Sequence, residues 1–145
     1  MKRKILLALI IMIGLVACNK RFSGPANTSL SGSWVMTSVT DNSSGAVSTK
    51  PGSLQSDVVI TFAQNDAASG RFYGHTPTND ISQSDYQTGS GYSLTILNLN
   101  VTKVWETPWG AAFVNNILNA QEYYIDTNGA LTIKTSSNTL TFKRQ

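Results

Sequence analysis

Residues 131–143 read LTIKTSSNTLTFK, and two short runs of strict alternation within them decide the fold class. Leu131 with Ile133, and Leu140 with Phe142, place apolar side chains at every second position, while Thr132, Lys134, Thr139, Thr141 and Lys143 fill the positions between. Successive side chains of a strand point to opposite faces, so this pattern buries one face and wets the other. Val58, Ile60 and Phe62 alternate in the same way, as do Tyr92, Leu94 and Ile96. Just before the closing pair, Thr127-Asn128-Gly129-Ala130 carries an Asn-Gly dipeptide suited to a tight hairpin with both residues at positive φ. Strands are expected over 33–40, 57–63, 70–75, 81–87, 91–97, 99–105, 122–126, 130–135 and 138–143.

One segment departs from this rhythm. In residues 107–118, TPWGAAFVNNIL, the bulky apolar side chains Trp109, Phe113 and Ile117 recur at a spacing of four, which lines one face of a helix. Thr107 is placed to cap its start, Pro108 to occupy the first turn where a missing N–H costs nothing, and Asn119 to stop it in a left-handed conformation. The expected fold is mostly β with one helix (α+β). It is a small antiparallel, barrel-like meander with the helix inserted before the last three strands, where it covers an open end or edge.

The chain opens with Met1-Lys2-Arg3-Lys4 and a 13-residue apolar or small-residue run over 5–17, ending at the sole cysteine, Cys18. That is the layout of a secretory signal peptide, and the run is shorter than the roughly 20 residues of a membrane-spanning helix. Leu15-Val16-Ala17-Cys18 resembles the bacterial lipobox, so residues 1–17 read as a lipoprotein signal peptide and Cys18 as the lipidated first residue of the mature chain. Each buried methylene adds about 0.8 kcal/mol of membrane affinity, so two or three acyl chains on one residue hold durably. Asn19 lacks the acidic character of an inner-membrane retention signal, which places the protein in the bacterial cell envelope, on the outer membrane and facing the periplasm. Residues 18–30, rich in Ser, Gly, Pro, Asn and Thr, form the lipidated end and flexible tether of a single domain over 31–145.

Of 11 Lys and Arg, three lie in the leader, which leaves 8 against 8 Asp and Glu in the mature chain. This balance, with no basic cluster interleaved with aromatics, argues against nucleic acid as a partner.

The order of pieces across 30–143 resembles the META domain, or HslJ-like, family of bacterial envelope proteins. The resemblance rests on Leu30-Ser31-Gly32-Ser33-Trp34, Val59-Ile60-Thr61-Phe62, Gly70-Arg71-Phe72-Tyr73-Gly74, Asn79, Tyr86, Thr102, Phe113 and the closing hairpin. Pro77-Thr78-Asn79 stands where many members have Gly-Cys-Asn, so no thiol role carries over. The resemblance implies a small antiparallel barrel with a helix, linked to stress tolerance, drug resistance or virulence, and it brings no catalytic residues.

Candidate chemistry is sparse. His75 is the sole histidine, with Asp80 and Asp85 nearby, a weak set for zinc or for acid–base work. No serine-nucleophile motif presents itself, so neither a catalytic residue, a metal nor a cofactor is expected, and the protein reads as a non-enzyme. The candidate binding residues are Trp105, Glu106 and Trp109 at the strand-to-helix junction, with His75 and Asn79. Exposed tryptophans there would mark a binding patch, whereas buried ones would lock the helix to the barrel, and the face shared by Trp109, Phe113 and Ile117 favours burial. Asn79 is expected to satisfy backbone groups in a turn. The preferred reading is a monomeric, non-catalytic, membrane-anchored lipoprotein that binds an envelope protein or a small apolar ligand. A protease-inhibitor-like or lipocalin-like module is the alternative, and a hydrolase or metalloenzyme around His75 is less favoured. A filled or an open barrel interior discriminates among them.

Overall fold

The computed structural model describes residues 29–145; the expected signal peptide, Cys18 and the expected tether through residue 28 lie outside the described residues. The strands are β1 (Gly32–Asp41), β2 (Val47–Thr49), β3 (Val59–Gln64), β4 (Ser69–His75), β5 (Asp80–Thr88), β6 (Leu94–Ile96), β7 (Ala120–Ile125), β8 (Leu131–Thr135) and β9 (Asn138–Arg144). The helix α1 (Pro108–Ile117) precedes the last three strands. Every pairing is antiparallel, in the order β6-β5-β4-β3-β1-β9-β8-β7, with the short β2 hung on β1. The two ends of this sheet approach each other through a single Ser93–Glu122 bridge and an edge-to-face contact of Tyr92 with Tyr123 at 6.2 Å, so the barrel is nearly closed.

The alternation sets the core. Val58, Ile60 and Phe62 point inward from β3 and its approach, and Leu131, Ile133, Leu140 and Phe142 point inward from β8 and β9, all buried. Trp34 on β1 is fully buried, its indole N–H donating to Leu30 O at 2.8 Å while the Arg144 guanidinium lies 4.4 Å above its ring. Phe62 stands edge-on to Tyr86 at 5.0 Å and tilts against Phe72 at 5.6 Å, so aromatic side chains occupy the middle of the barrel.

The helix packs as its spacing predicts. Trp109, Phe113 and Ile117 are buried, and Phe113 meets Phe142 edge-to-face at 6.4 Å. The Gly110 amide donates to the Thr107 hydroxyl at 3.1 Å, which completes the predicted N-cap with Pro108 in the first turn. The expected stop differs: Leu118 keeps φ −64°, Asn119 is not left-handed, and the Asn119 amide donates to Asn116 O at 2.9 Å. With β7 starting at Ala120, a single tightened turn is all that separates helix from strand.

Three further expectations change. The Asn-Gly hairpin is a three-residue loop, with Gly129 at φ +80° following a turn closed by Gly129 N–H to Asp126 O, and Asn128 stays out of the left-handed region. The strand expected over 91–97 shrinks to Leu94–Ile96, because a 3-10 turn with Tyr92 at φ +65° takes its first half. The strand expected over 99–105 is absent: this segment touches β5 through one isolated bridge, Ile81–Val101, and side chains make its other bonds. The strand β2, exposed along its whole length, has no alternation to announce it.

Phe113→Ala should destabilise the domain by about 3–5 kcal/mol through the cavity it leaves between helix and barrel. Thr107→Ala should cost about 1 kcal/mol. Urea denaturation of the two variants tests that order, and equal losses would contradict the packing described.

Candidate functional site

The barrel has two distinguishable poles. β3 pairs Val59 with His75 at one end and Gln64 with Gly70 at the other. Ser29, where the described chain begins, donates to Gln64 Oε1 at 3.4 Å and marks one pole. The β4–β5 turn, Thr76 to Asn79, marks the opposite one, together with Asp41, Asn138 and the helix. A six-residue strand separates them by about 20 Å.

The connector 97–107, from β6 to α1, crosses this second pole, and side chains hold its backbone. Near β6, Asn98 Oδ1 accepts from Asp85 N at 3.0 Å, and the fully buried Ser84 Oγ accepts from Asn100 N at 2.9 Å. A bulge in β5, with Gln83 at φ +38°, turns the Gln83 carbonyl toward Asn100 Nδ2 at 3.1 Å. Further on, Asn79 grips the connector from below while only 4% exposed. Its Oδ1 accepts from Val104 N and Thr102 Oγ1, each at 3.0 Å, and its Nδ2 donates to Val104 O at 3.3 Å.

Glu106 completes the clamp. Its carboxylate accepts from Asn79 Nδ2, Thr78 Oγ1 and Thr107 N, each at 2.8 Å, and from the Thr76 hydroxyl. It lies over the first turn of α1, where a Cβ added to Gly110 would collide with it. A negative charge is favoured there by the helix dipole. Partial burial pushes the Glu106 carboxyl up, but its hydrogen bonds with Thr76, Asn79, Thr78 and the Thr107 amide outweigh this, and its pKa ends below the ordinary value.

The clamp fixes two tryptophans in opposite senses. Trp105 is 77% exposed, with its carbonyl held by Thr78 Oγ1 at 2.7 Å, and Val104 beside it is 58% exposed. The expectation that the junction tryptophans are buried therefore holds for Trp109 and fails for Trp105: the helical face that buries Trp109 begins only at Pro108. The Asn79 side chain does satisfy backbone groups, but those of Val104 in the connector rather than of its own turn, which the Thr76 hydroxyl serves. His75 is half-buried opposite Asp80, with Nδ1 3.3 Å from Thr76 O, whereas Asp85 sits opposite Arg71 farther along β5. His75, Asp80 and Asp85 therefore do not converge, and among the described residues no three His, Cys, Asp or Glu gather as metal ligands. Cys18 lies outside the described residues. Thr76, Thr78 and Thr102 belong to the clamp although nothing in their spacing singles them out. The one available signal is the Thr/Asn density of residues 76–79.

No family model matches the chain, and neither does any curated protein. Among solved structures, it is similar to the NMR structure of a protein from Burkholderia xenovorans, at 20% identity and a TM-score of 0.58 over 80% of this chain and 83% of that one. At that identity the likeness is one of fold.

Because the Glu106 pKa is lower folded than unfolded, its contribution to stability is fully present above about pH 4.5 and is lost as pH falls through the depressed folded value. Glu106→Gln should flatten this acid limb, and hydrogen exchange at the Thr107 and Gly110 amides should speed up. An unchanged pH profile of stability in Glu106→Gln would contradict the clamp.

Proposed function

We propose that the protein is a non-catalytic envelope lipoprotein with a META/HslJ-like domain that captures a partner protein at the Trp105 pole and contributes to stress tolerance. The observation carrying this is the exposed Trp105 on a backbone held by Asn79, Thr78 and Glu106. An indole displayed on a rigid, hydrogen-bonded support loses little entropy on binding, which is how aromatic anchors come to dominate interfaces. In this reading Cys18 carries the lipid and the chain reaches the domain at Ser29, on the other pole. Trp105 then faces away from the membrane, which favours a partner in the aqueous compartment over the lipid surface. That partner would offer an apolar pocket for the indole and an acidic rim for Lys103.

A barrel-interior ligand is less supported, because Trp34, Met36, Phe62, Phe72 and Phe142 fill that space with their own side chains. This weakens the lipocalin-like alternative. The hydrolase or metalloenzyme reading loses its constellation with the separation of Asp85 from His75.

Trp105→Ala should change stability by no more than about 0.5 kcal/mol. It should weaken capture from envelope extract by about 2 kcal/mol, more than tenfold. Equal capture by wild type and Trp105→Ala would reject this surface. Cys18→Ser should abolish acylation, read by mass spectrometry of the mature N-terminus. An unmodified Cys18 on protein taken from its native membrane would reject the anchor.

A further inference from the structure

We infer that the cleft between α1 and the β1–β2 hairpin binds a small neutral ligand through a hydrogen-bond-accepting carbonyl, with the Trp109 indole N–H as its donor. The cleft measures about 560 Å³, within the usual span of small-molecule sites. Val39, Pro51, Pro108 and Ala112 give it apolar walls, and Ser48 and Thr49 of β2 form its rim.

Trp109 lines this cleft, is 3% exposed, and its Nε1 is a buried side-chain polar atom with no hydrogen-bond partner. The contrast with Trp34 is instructive, since that indole meets Leu30 O at 2.8 Å. A buried donor left unpaired costs about 1–3 kcal/mol, and native proteins rarely retain one without a partner in some state.

Below the Ser48 and Thr49 rim, the other polar side chains lining the cleft, Asp41, Asn116 and Asn138, are already engaged. Asn116 Nδ2 donates to Ala112 O, and Asn116 Oδ1 accepts from Asn138 Nδ2, both at 2.8 Å. Asp41 Oδ1 accepts from Ser43 Oγ at 2.6 Å and Ser44 N at 2.8 Å. The indole N–H therefore asks for an acceptor. Asp41 is the one ionisable side chain lining the cleft, so the local charge disfavours an anion and selects a neutral oxygen, such as an amide or ester carbonyl. The N–H is shielded in the free protein, so binding requires the cleft to open, and β2, three exposed residues paired only with β1, is its least-held wall. Such an arm opens at low cost.

The three indoles make the test internal. In the 15N-labelled mature protein, titration with N-butylacetamide should move the Trp109 indole resonance saturably downfield and leave those of Trp34 and Trp105 in place. Sodium butyrate, of similar size but anionic, should bind about tenfold more weakly. Trp109→Phe keeps the ring and removes the donor, so it should fold with an equal or higher denaturation midpoint and lose the saturable binding. Ser48→Trp, which fills the rim without touching the core, should abolish the Trp109 shift if Trp109→Phe fails to fold. The proposal is overturned if no saturable Trp109 shift occurs up to the solubility limit, or if only Trp105 responds. It is equally overturned if the indole shows a long-lived exchange peak with one buried water that the amide never displaces.

Discussion

An open sheet has two edges, and in this fold they have to meet. The edges are β6, three residues long, and β7, and they come within reach of each other only because the chain between them leaves the sheet, crosses one pole and returns through a helix. Edge closure by a full ladder is not available to so short a strand. One Ser93–Glu122 bridge and the Tyr92–Tyr123 contact do the remaining work, so the position of the connector 97–107 governs how well the barrel shuts.

Backbone bonds to β5 hold that connector only at Leu97, Asn100 and Thr102, since it runs alongside a bulged strand with Gln83 left-handed. Its amides and carbonyls still need partners near the protein interior. Ser84, Asn79 and Thr78 supply them from side chains, and Glu106 then binds the turn that presents Asn79. A carboxylate with this many donors is stable where a bare one would not be, and the network is worth keeping only while every member is satisfied. Gly110 follows from the same requirement, because any side chain there would displace the carboxylate from the helix start.

The sequence reveals what periodicity controls. Leu131, Ile133, Leu140 and Phe142, or Trp109, Phe113 and Ile117, declare their faces because burial acts on every second or every fourth residue. It is silent where side chains replace the ladder. Residues 99–105 look like a strand by composition, yet whether their backbone bonds go to a neighbouring strand or to Asn79 and Ser84 depends on contacts more than fifteen residues away in the chain. The same limit applies to the site. Asn79 and Glu106 were visible as unusual residues, but their union, and the threonines that complete it, exist only once the β4–β5 turn meets the connector. Trp105 and Trp109 look alike in the sequence, and the boundary of the helix alone separates them.

That separation bears on where recognition takes place in a barrel of this size. An eight-strand barrel leaves room for one small ligand or for its own side chains, and here aromatic residues take the space. The proposed binding therefore has to take place on the outside, and Ser29, the first described residue, lies at one pole. What remains is the opposite pole, where a saturated polar network fixes the backbone while leaving an indole on the outside and an unpaired indole donor just beneath the surface. Both features cost free energy in the isolated domain, one by exposing a large apolar ring and the other by burying a donor without an acceptor. Neither helps to close the barrel, which is done by the clamp and the core. Their presence together on the pole that the clamp organises is the physical reason for proposing recognition at this end of the molecule.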